Sequence, residues 1–241
     1  MAHGILVDAH CHLDSFSKKQ LEELPQGIIP CTSGYSHGSN QKTVEIAKEL
    51  KVPFSLGIAP QTVLKEGKGN LGEWMQFIAD SKPNAVGEVG LDHHWGKTEA
   101  DFALEEEVFR EMILLAQSLK LPLVIHSRKA ESRCLDVLED AGWKGKFMMH
   151  FFSGTLEEAQ HAVDMGGIIS IIGLHAKNRK KVIGEIPLEK LVVETDAPYV
   201  TRNIDGVLQS IGYISEVSGI PEDEVGKVTA KNAARFFNFH L

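Results

Sequence analysis

Cysteine is scarce in this chain. Cys11, Cys31 and Cys134 are odd in number and far apart; they exclude a disulfide framework and read as the reduced thiols of a cytoplasmic protein. Long apolar runs are missing as well. None approaches the ~20 residues that a bilayer-spanning helix needs, so no membrane partner is expected. The opening Met-Ala-His-Gly leads straight into a strand-like run, so no signal peptide is expected. Positive charge is in short supply: 25 Lys and Arg against 33 Asp and Glu leave a net charge of −8. That excludes tight, non-specific nucleic-acid binding through a broad basic face, though not through a local basic cleft. No glycine-rich phosphate loop follows the first strand-like run, and GEVG at residues 87–90 has the wrong spacing for a dinucleotide fingerprint.

What is present is an ordinary globular composition, 43% hydrophobic and 24% charged. Eight apolar, strand-like runs alternate with helix-like ones: ILVDAHCH, GIIPCT, PFSLGIAP, NAVGEVGLD, LPLVIHS, GKFMMHFFS, GGIISIIG and KLVVETD. The stretches between them, such as SNQKTVEIAKELKV and EADFALEEEVFREMILLAQSLK, carry helical periodicity, and two further helices close the chain. Strands separated by helices point to parallel pairing, and eight of them point to a closed (β/α)8 TIM-type barrel. The runner-up is an open, doubly wound sheet. No repeat, low-complexity tract or linker interrupts residues 1–241, so a single domain is expected.

Histidines and acids gather where the strand-like runs end. His10 and His12 are two apart, a spacing that turns both imidazoles to one face of a strand. Glu88 lies in the fourth run, His126 and His150 near the ends of the fifth and sixth, and Asp196 at the end of the eighth. All six fall on the edge of a parallel barrel that hosts catalysis. Closure would bring Asp196 to His10 and His12, while Glu88, His126 and His150 gather opposite. Six nitrogen and oxygen ligands in two clusters point to two divalent cations, with Glu88 as the candidate bridge. Singly, each residue reads as a hydrogen-bonded rim side chain or, for Asp196, as a helix N-cap. Six together, in order along one edge, do not.

The segments DAHCHLD, GEVGLD, VIHSR, HFFSG and ETDAPY closely resemble the motif series of the TatD family of metal-dependent deoxyribonucleases, within the amidohydrolase superfamily. The resemblance spans almost the whole chain, including Asn232 and Phe236 in the last helix. It implies a TIM-type barrel with a binuclear centre: His10, His12, Glu88 and Asp196 around one metal, Glu88, His126 and His150 around the other. It also implies a DNase with 3′–5′ exonuclease-like action on single-stranded DNA. The departures lie in loops: His93-His94-Trp95 replaces more usual tyrosines, Phe151 stands where cysteine is common, and the stretches after the first and last strands are short. Loops carry specificity.

Two close cations can bind a phosphate, activate water and stabilise the leaving oxygen. Asp196 is then the natural general base, with Glu88 the shared carboxylate. The imidazoles suit zinc or manganese and the carboxylates magnesium, so the metal stays open. Arg128, of the HSR motif, is the candidate phosphate contact. Lys129, Arg133, Lys177, Arg179, Lys180, Lys181 and Arg202 read equally well as rim cations or as solvated helix starts. His93, His94 and His175 are candidate substrate contacts; Trp74 and Trp143 read as packing, and Trp95 as packing or base-stacking. The same ligands on the same barrel also serve hydrolysis of small amides, lactones or esters, which is the alternative function. A non-catalytic scaffold would have no use for an acid at the position of Asp196.

Overall fold

The computed structural model describes residues 4–241; His3 and the expected leaderless start lie outside them. Among the described residues, eight parallel strands run in the order of the sequence. They are β1 (Leu6–Cys11), β2 (Ile28–Ser33), β3 (Phe54–Leu56), β4 (Ala85–Asp92), β5 (Leu123–Arg128), β6 (Phe147–His150), β7 (Ile168–Ile172) and β8 (Leu191–Glu194). The helices are α1 (Lys18–Glu22), α2 (His37–Leu50), α3 (Pro60–Glu66), α4 (Leu71–Ser81), α5 (Glu99–Leu119), α6 (Glu131–Asp140), α7 (Leu156–Asp164), α8 (Lys177–Glu185), α9 (Val207–Ser218) and α10 (Glu222–Phe237). This is the expected TIM-type barrel.

Two departures from the expected elements have local causes. The third run yields a strand of only three residues, and Ile58-Ala59 then lead into α3, which sequence periodicity does not signal. Pro60 opens that helix at its first position, where a missing N–H costs nothing. Strand β8 ends at Glu194, two residues before Asp196.

Helix starts follow their sequence signals. Thr98 and Asp101 close a capping box on α5, and Thr155 and Glu158 another on α7. A large apolar layer lies between sheet and helices, with Leu56, Ile78, Phe109, Met112 and Phe147 fully buried. Each such side chain contributes about 1.5–3 kcal/mol by leaving water. A second cluster joins Val7, Ala85, Val124, Met148 and Val192, one from each of five strands, to Phe236 and Phe237 of α10. The last helix thereby closes the floor of the barrel, where the strands begin.

The barrel closes between β1 and β8 without a strand ladder among the described residues. Side chain and loop do the work instead. The buried Asp8 carboxylate accepts from the Thr195 backbone N–H at 3.0 Å and from its hydroxyl. Just above, Asp196 N–H donates to His10 O at 3.0 Å and His12 N–H to Ala197 O at 2.7 Å.

Candidate metal centre

The strand ends deliver the six expected residues to one buried cluster. His10 Nε2 and His12 Nε2 stand 3.1 Å apart, so the two imidazoles do share a face. Asp196, held at φ 51° in the turn after β8, brings Oδ1 to 3.2 Å from His12 Nε2 and 3.8 Å from His10 Nε2. The two carboxylate oxygens of Glu88 part company. Oε2 faces His12 at 3.5 Å and His10 at 3.7 Å, whereas Oε1 lies 2.8 Å from His126 Nδ1. His150 stacks on His10 with ring centroids 3.6 Å apart. Three overlapping triads, His10-His12-Glu88, Glu88-His126-His150 and His10-His150-Glu194, each have ligand atoms within 4.8 Å of one another.

Backbone irregularity aims these groups. The register slips between Val86 and Val89 in β4, and between Asp8 and Cys11 in β1. Such bulges re-aim a side chain beside a site. Gly90, at φ 137°, passes so close to β5 that a Cβ would sit 2.1 Å from His126 O. Only glycine lets the strand carrying Glu88 approach the strand carrying His126 that closely.

A second ring of polar groups orients the first. His12 Nδ1 faces Ser33 O at 2.9 Å, so that nitrogen carries a proton and Nε2 is the atom turned to the cluster. His150 Nδ1 lies 3.1 Å from Glu194 Oε2, which also accepts from Ser170 Oγ at 2.7 Å. His126 Nε2 lies 2.9 Å from Asp92 Oδ2, and Asp92 Oδ1 in turn holds the N–H groups of His94 and Trp95. Asp92, Glu194 and Asp8 are functional residues that the motifs alone do not single out. Their signal was parity: Asp8 with His10 and His12, Asp92 with Glu88, and Glu194 with Asp196, at even spacing.

The electrostatics fit a cation. Burial, then the neighbouring His150 and His12, hold the His10 pKa well below the ordinary value, so that ring stays neutral. At His12 burial works in the same direction, but Asp196 and Glu88 outweigh it and lift the pKa to about 9. His126, between two carboxylates, rises against its burial to about 10. Burial would raise the Glu88 pKa, yet His126, His150 and His12 hold it well below the carboxylate range. Without an ion, a protonated His12 Nε2 thus stands 3.1 Å from the neutral His10 Nε2 beside ionised carboxylates, and a divalent ion would compete with protons for the same nitrogens.

Arg128 is not part of this cluster. It ends β5 opposite Asp92, its side chain exposed at the rim. Tyr199 and Trp95 are also at the rim, 57% and 56% exposed, while Trp74 and Trp143 are buried as expected. The Tyr199 hydroxyl is held by Ser15 Oγ at 2.9 Å and Tyr35 OH at 3.1 Å, and its ring centroid lies 5.1 Å from that of His12. His175 stacks on Tyr213 at 4.0 Å, and His93 packs against Phe102.

Comparison with known proteins agrees with this picture. The model of the TatD related DNase family matches residues 7–238. An uncharacterized metal-dependent hydrolase of Methanocaldococcus jannaschii is 30% identical over 254 residues, covering 98% of each chain. The uncharacterized metal-dependent hydrolase YabD of Bacillus subtilis is 27% identical over 260 residues, covering 98% of this chain and 100% of that one. The crystal structure of YJJV, a TatD homologue from Escherichia coli, shares the fold with a TM-score of 0.85 at 24% identity over 98% of both chains. No helix of the described residues is long and apolar enough to cross a membrane. With its barrel, its buried histidine–carboxylate cluster and a family match over nearly its full length, the chain belongs to the TatD family and is a metal-dependent hydrolase.

Proposed function

We propose that this chain, acting as one catalytic unit, is a binuclear phosphodiesterase that removes nucleotides from the ends of single-stranded DNA. His10, His12, Glu88 and Asp196 would hold one divalent ion, and Glu88, His126 and His150 the other. The observation that carries this reading is the division of the Glu88 carboxylate, Oε2 toward His10 and His12 and Oε1 toward His126. The DNase name of the matching family supports a nucleic-acid substrate.

When bound, the ions supply Lewis-acid charge for the phosphoryl oxygens and for water. The rest falls to the protein. Asp196 takes the proton of the attacking water, its carboxylate positioned beside His12. Water oxygen bonds to phosphorus, the bond from phosphorus to the leaving sugar oxygen breaks, and that oxygen is protonated from solvent. Arg128, at the end of β5, steers the adjoining phosphate.

Linear and circular single strands of equal composition, incubated at low salt with magnesium, manganese or zinc, test the proposal. Loss of the linear strand alone is the expected result. Equal cleavage of the circle overturns end-directed action. Inertness toward both, with turnover of a small ester or lactone, assigns the chain to amidohydrolase chemistry instead.

A further inference from the structure

Helix α2 carries a polar residue where its inward stripe calls for an apolar one. Thr43, Val44 and Ala47 are buried on the face toward β2 and β3, and Asn40, one turn earlier on that face, is 0% exposed. Asparagine is a poor residue inside a helix, and a buried amide is costly unless both of its ends are met. Here both are. Nδ2 donates to Gly57 O at 3.0 Å, and Oδ1 accepts from Gly57 N–H at 3.3 Å. The amide pairs with one residue in both directions, as two opposed residues of an antiparallel ladder do.

The groups around this amide lead to the metal centre. Gly57, just beyond β3, lies against the backbone of Glu88: a Cβ on Gly57 would stand 2.4 Å from Glu88 O. Gly34, just beyond β2, makes room for Asn40 itself, since a Cβ there would stand 2.2 Å from Asn40 Oδ1. Gly34 O accepts from the Glu88 N–H at 3.0 Å. The carbonyl immediately before it, Ser33 O, is the one that faces His12 Nδ1 at 2.9 Å. Two consecutive carbonyls at the end of β2 thus serve one ligand from β1 and another from β4.

The sheet alone holds these carbonyls weakly. Strands β2 and β3 are registered only through Thr32 with Phe54 and Ser33 with Ser55. Gly34 N–H adds one bond to Ser55 O at 2.9 Å, and there the pairing runs out. Asn40 takes over at that point, tying Gly57 to α2 and filling the space beside Gly34. Neither of its side-chain hydrogen bonds goes to a metal ligand, so it acts at one remove.

We propose that Asn40 is a positioning residue of the metal centre: by locking Gly57 and seating Gly34 it fixes the Ser33 and Gly34 carbonyls and, through them, the mutual placement of His12 and Glu88. This role rests on the binuclear assignment proposed above. Removing the amide leaves every ligand in the chain but loosens the distance between two of them, and a divalent ion is sensitive to that distance.

Titration calorimetry with manganese(II) on the full chain tests it, at a temperature where circular dichroism shows every variant folded. Asn40→Leu, close in shape but without a polar atom, should weaken manganese binding about tenfold, the lower end of the scale for a partner behind a ligand. The His12 Nδ1–H resonance, shielded by Ser33 O, should shift or broaden in the same variant before metal is added. Asn232 supplies the control. It too is buried, and it donates to Leu188 O and Leu191 O where β8 begins, at the other end of the barrel. Asn232→Leu should cost stability yet leave manganese affinity and the His12 resonance as they were. If Asn40→Leu does not fold, Asn40→Ser gives the same reading with a smaller loss. His10→Ala with His12→Ala probes the centre separately, and manganese binding untouched by that pair overturns the centre and the role of Asn40 with it. Binding lost with the histidines but unchanged in the Asn40 variant, or weakened equally by Asn232→Leu, leaves the centre standing and overturns the role of Asn40 alone.

Discussion

His126 Nε2 lies 2.9 Å from Asp92 Oδ2, on the side of the ring away from Glu88. Asp92 is fully buried and is anchored by its own backbone N–H, which donates to Glu105 Oε2 at 3.0 Å. The pair fixes the plane of an imidazole that would otherwise turn about two bonds. Asp92→Ala is therefore expected to lower metal affinity by roughly 10- to 100-fold, the usual scale for a partner behind a ligand. Competition with a chelator measures it, and unchanged affinity would leave Asp92 a purely structural role.

Asp196→Asn keeps shape but loses the proton acceptor. Turnover should fall at least ~10²-fold. Metal content, read by elemental analysis, should fall less, because His10, His12 and Glu88 remain around that position. Near-normal turnover would give the base role to another group.

Tyr199 offers an exposed ring beside His12, with its hydroxyl already pinned by Ser15 and Tyr35. A pinned ring is a ready face for a base, and such stacking contributes about 1–3 kcal/mol. Tyr199→Ala is expected to raise KM for single-stranded DNA about tenfold while kcat changes little. Tyr199→Phe should retain most of the affinity, since the stacking face survives.

Glu106 lies under two guanidiniums, Arg133 at 2.8 Å and Arg110 at 2.9 Å. Burial works to raise its pKa, but Arg133 and then Arg110 outweigh it, and the net shift is downward. A carboxylate with a depressed folded pKa stabilises above its unfolded pKa, and that stability is lost as pH falls through the folded value. Glu106→Gln should accordingly lower Tm near neutral pH and cease to matter in strong acid. Because the group is still partly exposed and its arginine partners more so, solvent screening should keep the effect small. An equal Tm loss at both pH extremes would refute an ionic origin.

The alternation of strand-like and helical stretches made the barrel legible, and closure of eight strands made the meeting of His10 with Asp196 legible as well. What stayed hidden depended on partners distant in sequence. Asp8 looks like one more acid before a histidine pair, and only the fold brings Thr195 to it. Glu194 and Asp92 lie inside motifs, yet their chemistry is to hold His150 and His126, which is invisible until those rings arrive. Helix α3 escaped because Ile58-Ala59 extends the apolar run before Pro60 intervenes.

The seam between β1 and β8 has a consequence for how the molecule opens. Seven strand junctions are laced by backbone ladders; the eighth is fastened by one acid, two loop hydrogen bonds and the histidines and aspartate that face each other across it. An ion held by His10, His12 and Asp196, as proposed, would thus also be a rivet through the one junction without a strand ladder among the described residues. Amide exchange along Asp8 to His12 should then slow when the ion arrives, before any substrate is present.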